Sequence, residues 1–463
     1  MALTFKGGIH VPEHKETSVI PIEEMPAVQV ISIPLLQHIG CPAKALVKKG
    51  DIVKAGQLIG DFDGGLSCFV HSSVSGEVVE IEQRNSYGGN GKTEYVVIKN
   101  DFENTLCENI KDTCASTEDL TSQEIIEIVK NAGISGMGGA SFPTHVKISS
   151  SLGKAHTIII NCAECEPFIT ANHRLMLEKP NEIIEGAKIL LNALSVESVI
   201  FAIEDNKKDA AKVIEQLIQN DSRLEVKLLK TKYPQGDERQ IIYALTGKEL
   251  TSGHLPFEVG CLILNAETVA AIYDAVVYGM PLIERFVTVD GDCVKEPKNL
   301  SVRIGTPINE LIEYCGGLTK DPYKIICGGP MMGVAQWKMY APTVKGTSAV
   351  LVFSNQNRTR QSDAPSCIHC GRCVGHCPMR LMPNYLVAFA NAGELDKCKE
   401  FDILGCVECG CCSYDCPADV PIVQTIRAAK GKILEQMRAQ KAALNKSAVA
   451  AKPEKEDKGG KES

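Results

Sequence analysis

The chain has 463 residues, a formal net charge of −8 and 44% hydrophobic residues. At roughly one domain per 150 residues, this length predicts about three domains. The mild acidity and the absence of a basic block argue against nucleic-acid binding, and no apolar run reaches the ~20 residues that cross a bilayer. Because the N-terminus lacks the apolar stretch of a signal peptide, we expect a cytoplasmic protein whose 20 cysteines are thiols or cluster ligands and not disulfides.

The first hundred residues alternate apolar and polar positions between glycine turns, as in 47–60 and 70–81. This pattern predicts a small all-β unit, which we place at residues 1–115. It resembles the barrel-sandwich domains of lipoyl and biotin carriers, which present a modifiable lysine at a hairpin tip. The corresponding stretch here, 61–69, has no lysine, so we expect a docking or structural unit and not a swinging arm.

From about residue 121, short apolar runs alternate with amphipathic helices. The runs at 157–161 and 198–203 are typical of buried strands, and helices are predicted at 124–131, 181–194 and 207–220. We interpret residues 116–284 as an α/β domain. In such a layer, ligands bind in the loops beyond the carboxyl ends of the strands.

Four loops of this region carry unusual side chains, and they span residues 136–147, 161–167, 233–238 and 265–268. The first is rich in glycine and ends in a lysine, which suits a phosphate-binding loop, although a plain turn suits it equally. The second places an amide and two carboxylates after an apolar strand, with ordinary turn chemistry as the alternative. Asp237 and Glu238 would also suit the N-terminus of a helix predicted at 239–245, and Asn265 would suit the cap of one at 269–277.

Residues 285–345 are predicted to form a small unit that resembles soluble-ligand-binding β-grasp domains. A strand and turn are expected at 285–291 and a helix at 308–315. The glycine-rich stretch 327–333 is not followed by lysine, serine or threonine in Walker order, so we interpret it as a structural turn and not as a phosphate loop.

Two cysteine runs stand near the C-terminus, each with the spacing C-x2-C-x2-C-x3-C-P. Bacterial two-cluster ferredoxins hold two [4Fe–4S] clusters with this run, and the fourth cysteine of each run binds the cluster of the other. One predicted ligand set is therefore Cys367, Cys370, Cys373 and Cys416, and the other is Cys406, Cys409, Cys412 and Cys377. Zinc is the alternative for paired cysteines, but zinc sites use four ligands in two pairs.

The expected fold class is thus multidomain, α/β and α+β: a barrel-sandwich β domain, an α/β domain, a β-grasp-like unit and, at 360–430, a two-cluster ferredoxin-like domain. Cysteines outside the ligand sets, such as Cys398 and Cys411, are interpreted as ordinary thiols. A helix is predicted from 420 to 444. Within the final segment 431–463, the Lys-, Glu- and Gly-rich stretch 451–463 is predicted to be disordered.

In order and wording, the four loops resemble those of the FMN- and NADH-binding subunit of respiratory complex I, over about residues 130–340. The resemblance is stronger, over nearly the whole chain, to the RnfC family of Rnf electron-transport complexes. The residues that the resemblance assigns to FMN are Gly136, Gly138, Gly139, Lys147, Asn161, Glu164, Cys165, Gly236, Asp237, Asn265 and Thr268, and those assigned to NADH are Phe142, Glu166 and Glu238. The chain has Met137, Ala163, Cys165 and Ala266 where complex I has Arg, Asp, Ser and Asn.

The resemblance implies a peripheral subunit that transfers electrons between NAD(H) and ferredoxin through FMN and two [4Fe–4S] clusters, coupled to Na⁺ or H⁺ translocation. The implied partners are integral membrane subunits and an iron–sulfur subunit that receives electrons from ferredoxin, at the cytoplasmic face of the membrane. No catalytic side chain is expected, because the hydride chemistry belongs to the flavin. Two alternatives stay open: a soluble diaphorase subunit of a hydrogenase or formate dehydrogenase, and a non-enzymatic cluster relay whose flavin pocket has decayed.

Overall fold

The computed structural model describes residues 3–86, 91–111, 117, 120–139, 141–355 and 366–450, with the backbone alone at 442 and 444–450. The chain divides into two compact units, residues 1–359 and residues 360–463. Within the described ranges, no helix is long and apolar enough to cross a membrane.

The N-terminal part of the first unit consists of strands, as predicted. After a 3₁₀ helix at Glu16–Val19 come β1 (Ile22–Glu24), β2 (Val30–Pro34), β3 (Lys44–Ala45), β4 (Ile52–Val53), β5 (Leu58–Asp61), β6 (Val70–His71), β7 (Gly76–Asn85) and β8 (Lys92–Asn100). One sheet has the order β2-β8-β7-β4 and another the order β3-β5-β6, both antiparallel. Ile31, Ile59, Val70 and Ile98 from the two sheets share one buried core.

The next part alternates helices and strands. Its elements are α1 (Ser122–Asn131), α2 (Thr144–Ser151), β9 (Thr157–Cys162), α3 (Ala171–Glu178), α4 (Pro180–Ala193), β10 (Ser198–Glu204), α5 (Lys208–Ile218), β11 (Leu224–Leu229), α6 (Glu238–Thr246), a 3₁₀ turn at Pro256–Val259, β12 (Cys261–Asn265) and α7 (Ala266–Tyr278). The helices predicted from periodicity are confirmed with ends shifted by one to three residues, whereas α3 and β11 were not predicted.

The strands of this part form one parallel sheet in the order β11-β10-β9-β12. Its inner strands read as continuous apolar runs because helices cover both faces of such a sheet. Ile158, Ile159 and Ile160 of β9 are accordingly fully buried. The strand order reverses between β9 and β12, since β10 and β11 lie on one side of β9 and β12 on the other.

A third sheet follows, with β13 (Glu284–Asp290), β14 (Lys298–Arg303), α8 (Ile308–Tyr314), β15 (Lys324–Cys327), β16 (Val334–Gln336) and β17 (Ala349–Phe353). The sheet has six strands in the order β1-β14-β13-β17-β15-β16. The predicted strand and helix are both present. The sheet also takes in β1 from the N-terminal part of the chain and β17 from beyond residue 345, which sequence periodicity did not indicate.

The second unit is helical in the residues that the structure describes. It contains α9 (Arg372–His376), α10 (Pro383–Asn391), α11 (Leu395–Glu400), a 3₁₀ turn at Ile403–Gly405, α12 (Cys411–Tyr414) and α13 (Ile422–Ala450). Its core includes Leu386, Ile403, Ile426 and Ile433. The helix predicted from 420 to 444 is confirmed as α13, and the stretch 451–463, predicted to be disordered, lies outside the described residues.

Candidate functional site

The loops predicted to bind a ligand meet at the carboxyl edge of the parallel sheet. Asn161 of β9 is the register partner of Asn265, the last residue of β12. The two residues therefore lie side by side where the strand order reverses. In open α/β sheets, ligands bind in the crevice that opens at such a switch point.

Hydrogen bonds join the loops to one another. The backbone N–H of Met137 donates to Thr268 Oγ1 at 3.1 Å, which ties the glycine loop to the start of α7. Asn161 Nδ2 donates to the carbonyl of Gly236 at 2.9 Å. The N–H of Gly236 donates in turn to Cys165 Sγ at 3.3 Å. Residues from four separate stretches of the chain thus form one continuous surface.

Two of the predicted site residues pair with each other, and two cap helices. Lys147 of α2 forms an ion pair with Glu238 of α6. Asp237 Oδ1 accepts from the backbone N–H groups of the second and third residues after it, at 3.1 and 3.3 Å, and so caps α6. Asn265 Oδ1 caps α7 in the same way at 2.9 Å. Burial raises the pKa of Asp237. The capping interpretation of Asp237 and Asn265 is therefore right, and these caps lie within the candidate site.

The glycines have different surroundings. A Cβ atom added to Gly138 would lie 2.7 Å from Asn265 Nδ2, and one added to Gly236 would lie 3.2 Å from Cys165 Sγ. A Cβ added to Gly139 would meet nothing within 4 Å. Glycine at 138 thus lets the loops approach closely, while the space beside Gly139 is open to a ligand.

A buried amide without partners lies in the loop that follows β11. Gln235 is fully buried, and neither its Nε2 nor its Oε1 has a hydrogen-bond partner among the described residues. An unpaired buried amide costs free energy that a polar ligand would recover. The sequence analysis did not single out Gln235, because only its burial distinguishes it. Together with the open space at Gly139 and the cation of Lys147, this donor set fits FMN.

Backbone amides bind both carboxylates of the loop 161–167. Glu164 accepts from the N–H groups of Asn172 and His173 at 2.7 and 3.2 Å, at the start of α3. Glu166 accepts from those of Met331 and Met332 at 3.1 and 2.9 Å. Burial raises the pKa of Glu166 to about 7, against the lowering effect of those two hydrogen bonds.

The glycine-rich stretch 327–333 is therefore a structural turn with a defined function, since it encloses the Glu166 carboxylate. A Cβ added to Gly329 would lie 2.2 Å from Glu166 Cδ. Next to Glu166, burial and the nearby carboxylates of Glu204 and Glu166 raise the pKa of Cys165 far above its ordinary value. Its thiol is protonated at neutral pH.

The eight predicted cluster cysteines divide between two cavities of the second unit. A cavity of about 350 Å³ is lined by Cys377, Cys406, Cys409 and Cys412, and one of about 440 Å³ by Cys367, Cys370, Cys373 and Cys416. Each cavity thus takes three cysteines from one run and the last cysteine from the other. The remaining walls are mainly apolar, with Leu386 and Ile426 in the first cavity and Val387 and Ile422 in the second.

The two cysteine runs repeat each other's backbone at an offset of 39 residues. His369 and Glu408 hold equivalent positions and adopt positive φ values of 56° and 57°. Their N–H groups donate to Cys367 Sγ and Cys406 Sγ, each at 3.4 Å. Hydrogen bonds to cluster sulfur are one of the ways in which a protein sets a cluster's reduction potential.

The cysteine geometry differs from that of a zinc site. In the part of the chain that the structure describes, no three His, Cys, Asp or Glu side chains are placed to hold a single metal ion. The four thiolates of a [4Fe–4S] cube bind four different irons, so they lie farther apart than the ligands of one zinc ion. The two donor sets therefore fit cubanes.

Comparison with known proteins divides the chain in a similar way. A family model described as the RnfC barrel sandwich hybrid domain matches residues 3–103, the Nuo51 FMN-binding domain matches 129–274 and the SLBB domain matches 286–335. The RnfC-type subunit of the Na(+)-translocating ferredoxin:NAD(+) oxidoreductase complex of Acetobacterium woodii is 43% identical over 437 residues, which cover 94% of this chain and 98% of the relative. The chain belongs to the RnfC family.

Two further members of the family are almost as similar. The corresponding subunit of the proton-translocating ferredoxin:NAD(+) oxidoreductase complex of Clostridium ljungdahlii is 43% identical over 433 residues, covering 93% of this chain and 94% of the relative. That of the ion-translocating oxidoreductase complex of Rhodobacter capsulatus is 40% identical over 442 residues, covering 94% of this chain and 84% of the relative. The Rnf resemblance is confirmed, and the hydrogenase or formate dehydrogenase alternative is the less supported one.

Within this RnfC-family chain, the sequence analysis missed two buried lysines under the loop 161–167. Lys207 Nζ donates to the carbonyl of Ala163 at 2.7 Å and pairs with Glu204 at 3.1 Å. Lys15 Nζ donates to the carbonyls of Glu164 and Glu166, both at 2.8 Å. Their acceptors are backbone carbonyls, which no residue type announces, so the sequence held no signal for them.

Proposed function

We propose that this chain binds FMN at the four loops and NADH beside them, carries two [4Fe–4S] clusters, and passes electrons between NAD(H) and ferredoxin in a membrane-bound complex that translocates Na⁺ or H⁺. One observation carries the proposal: a single chain has ligand-binding loops gathered at a sheet switch point and two cavities with four cysteines each. The names of relatives that match nearly the full chain support the same activity.

The flavin part of the proposal assigns roles by position. Lys147 and the open backbone at Gly139 would receive the FMN phosphate, and Asn161, Cys165 and Gly236 would face the ring. The other residues in this set are Gly136, Gly138, Glu164, Asp237, Asn265 and Thr268, which hold the loops in place. Gln235 joins them because its buried amide lacks partners among the described residues.

The NADH part of the proposal uses Phe142, Glu166 and Glu238. Both carboxylates have protein partners in this conformation, Glu166 with the amides of Met331 and Met332 and Glu238 with Lys147. Binding of FMN and NADH would therefore exchange these contacts for contacts with the ligands. The phosphate of FMN would compete with Glu238 for Lys147.

The chemistry requires a change from paired to single electrons. NADH gives two electrons with a hydride, whereas a cubane carries one, and FMN supplies the conversion when it is bound. The residues of the chain bind and orient the ligands, exclude water and donate hydrogen bonds to the cluster sulfurs. No side chain has to act as a nucleophile, an acid or a base.

The partners and the place in the cell are part of the same proposal. The chain would dock on integral membrane subunits and on an iron–sulfur subunit that receives electrons from ferredoxin, at the cytoplasmic face of the membrane. We further propose the division into a barrel-sandwich domain at 1–115, a flavin domain at 116–284, a β-grasp-like domain at 285–345, a two-cluster ferredoxin-like domain at 360–430 and a final segment at 431–463.

The test is an anaerobic NADH titration of the full chain, reconstituted with iron and sulfide and supplied with FMN. Visible absorbance follows the flavin, and low-temperature EPR follows the clusters. We expect stoichiometric NADH to bleach the flavin and to produce cubane signals. A Glu166→Gln, Glu238→Gln double variant should keep FMN and need much more NADH.

Two other outcomes contradict parts of the proposal. FMN binding without reduction by NADH would remove the assignment of Phe142, Glu166 and Glu238. A folded chain that holds clusters but no flavin would leave the cluster relay as the function.

A further inference from the structure

The first residues of the chain run over the flavin side of the α/β layer. We call residues 3–15 the N-terminal strap. Leu3 exchanges backbone hydrogen bonds with the end of β11: its N–H donates to Leu228 at 3.1 Å, and its carbonyl accepts from Lys230 at 2.7 Å. Ile9 exchanges two more with Tyr233, at 2.8 and 2.9 Å. The strap is thus paired with the loop that leads to Gly236.

The strap then reaches the loop that follows β9. The carbonyl of Glu13 accepts from the N–H of Phe168 at 2.9 Å, and the ring of His14 stacks on the ring of Phe168 with the centroids 4.7 Å apart. Asn206 Nδ2 donates to the Glu13 carboxylate at 2.6 Å. These contacts bring the end of the strap against the residues that face the candidate site.

Lys15 ends the strap and grips the same loop from behind. Its ammonium donates to the carbonyls of Glu164 and Glu166, both at 2.8 Å, and to that of Ile169 at 2.6 Å. No salt bridge found among the described residues includes Lys15. Burial, and then the charge of Lys207, lower its pKa. Three carbonyls at hydrogen-bond distance fix the position of this cation.

A fixed cation at this place has two consequences. Glu164, Cys165 and Glu166 keep their orientation because the carbonyls on both sides of Cys165 are held. The charge is also shielded from water, so it acts over a longer distance than a surface lysine, which salt and solvent screen. Charge near a flavin is one of the ways in which a protein tunes it, and a positive charge favours the reduced, more negative form.

We propose that the N-terminal strap is part of the flavin site, and that Lys15 is a positioning residue that holds the 163–169 loop and favours reduced over oxidised FMN. The inference rests on the proposed binding of FMN at the four loops. It brings residues of the barrel-sandwich family match at 3–103 into a site that the FMN-binding family model, at 129–274, does not include.

The experiment compares Lys15→Met with Lys6→Met in the full chain loaded with FMN. Lys6 lies in the same strap, is exposed, and has its ammonium 6.0 Å from the Tyr243 ring, so the control removes an equal charge from the same segment. For Lys15→Met we expect reduced FMN to lose about tenfold in affinity relative to oxidised FMN. This change lowers the midpoint potential by about 30 mV for a two-electron couple. Lys6→Met should stay within twofold, and Lys15→Arg should recover part of the shift.

A second measurement follows the loop without flavin. Hydrogen exchange of the flavin-free chain should be faster in Lys15→Met than in the wild type at the amides of Asn172 and His173, which Glu164 holds. It should be unchanged in Lys6→Met. A folded Lys15→Met variant with a wild-type potential overturns the role in reduction, and one with wild-type exchange overturns the positioning role.

Two complications keep the test decisive. If Lys15→Met does not fold, Lys15→Gln takes its place, because it keeps a donor without the charge, and a wild-type potential in that variant overturns the proposal. If the wild-type chain binds no FMN, the proposed function fails by itself. The exchange measurement on flavin-free protein then decides whether Lys15 holds the loop.

Discussion

In the second unit, the cysteines that line both cavities lie within residues 367–416, whereas the flavin-side site draws on residues from Lys15 to Met332. The cysteine unit repeats a short backbone pattern, so neighbours in sequence set the position of each ligand. In the α/β region, each side chain of the site is held by a partner from a distant stretch. A ligand change should therefore act locally in the cysteine unit, and a change at the flavin side should alter stability and binding together.

The largest effect is expected from loss of a cysteine that lines a cavity. Cys412→Ala removes one of the four thiolates of its cavity, so we expect about half of the iron and acid-labile sulfide to be lost, together with the EPR signal of one cubane. Cys398→Ser is the matched control, because Cys398 is buried in the same core but lines neither cavity. Equal iron content in Cys412→Ala and Cys398→Ser would contradict the ligand assignment.

The next effect concerns the buried ion pair under the flavin-side loop. Lys207→Met leaves the carboxylate of Glu204 buried without its partner, and we expect the free energy of unfolding to fall by about 3–5 kcal/mol in urea titrations. Adding Glu204→Gln should recover part of the loss. Lys188→Met breaks the surface pair with Glu185 and should cost less than about 1 kcal/mol. A Lys207→Met variant as stable as Lys188→Met would show that this loop does not depend on the pair.

The third prediction uses the raised pKa of Glu166. The ordinary pKa of a glutamate is 4.5, and that of Glu166 in the folded chain is about 7. Between these values the folded chain keeps a proton that the unfolded chain has released. The contribution of Glu166 to the unfolding free energy therefore falls by about 3 kcal/mol from pH 4.5 to pH 7 and is constant above pH 7.

The measurement for this prediction is the difference between wild type and Glu166→Gln in urea titrations across that pH range. Subtracting the variant removes the contribution of other titrating groups. A difference that does not change between pH 5 and pH 8 would mean that Glu166 is not buried against the turn at 327–333.

The smallest effect distinguishes two neighbouring glycines. Gly138→Ala should lower the unfolding free energy of the flavin-free chain by about 1–3 kcal/mol, because the new Cβ would lie 2.7 Å from Asn265 Nδ2. Gly139→Ala should change it by less than about 0.5 kcal/mol, since its Cβ meets nothing within 4 Å. Equal losses for the two variants would mean that the glycine loop does not pack on the start of α7.

Much of the fold followed from patterns within single segments. Helices such as α4 and α5 and the inner strands β9 and β10 have strong periodicity or continuous apolar runs, and they were predicted to within a few residues. The strand β11 was missed because it lies at the edge of its sheet, where half-buried positions mix Glu225 and Lys227 with apolar residues. The six-stranded sheet was underestimated because β1 and β17 join it from distant parts of the chain.

The sequence by itself determined the two cysteine sets and the identity of the four loops. Ligand spacing and turn chemistry are local properties, so a single run of residues such as Cys406 to Cys416 states them fully. Only the tertiary structure decided that Asn161 meets Gly236, that the turn at 327–333 encloses Glu166, and that Lys15 reaches three carbonyls. Those contacts depend on strand order and on backbone groups, which every residue possesses and which sequence patterns therefore do not reveal.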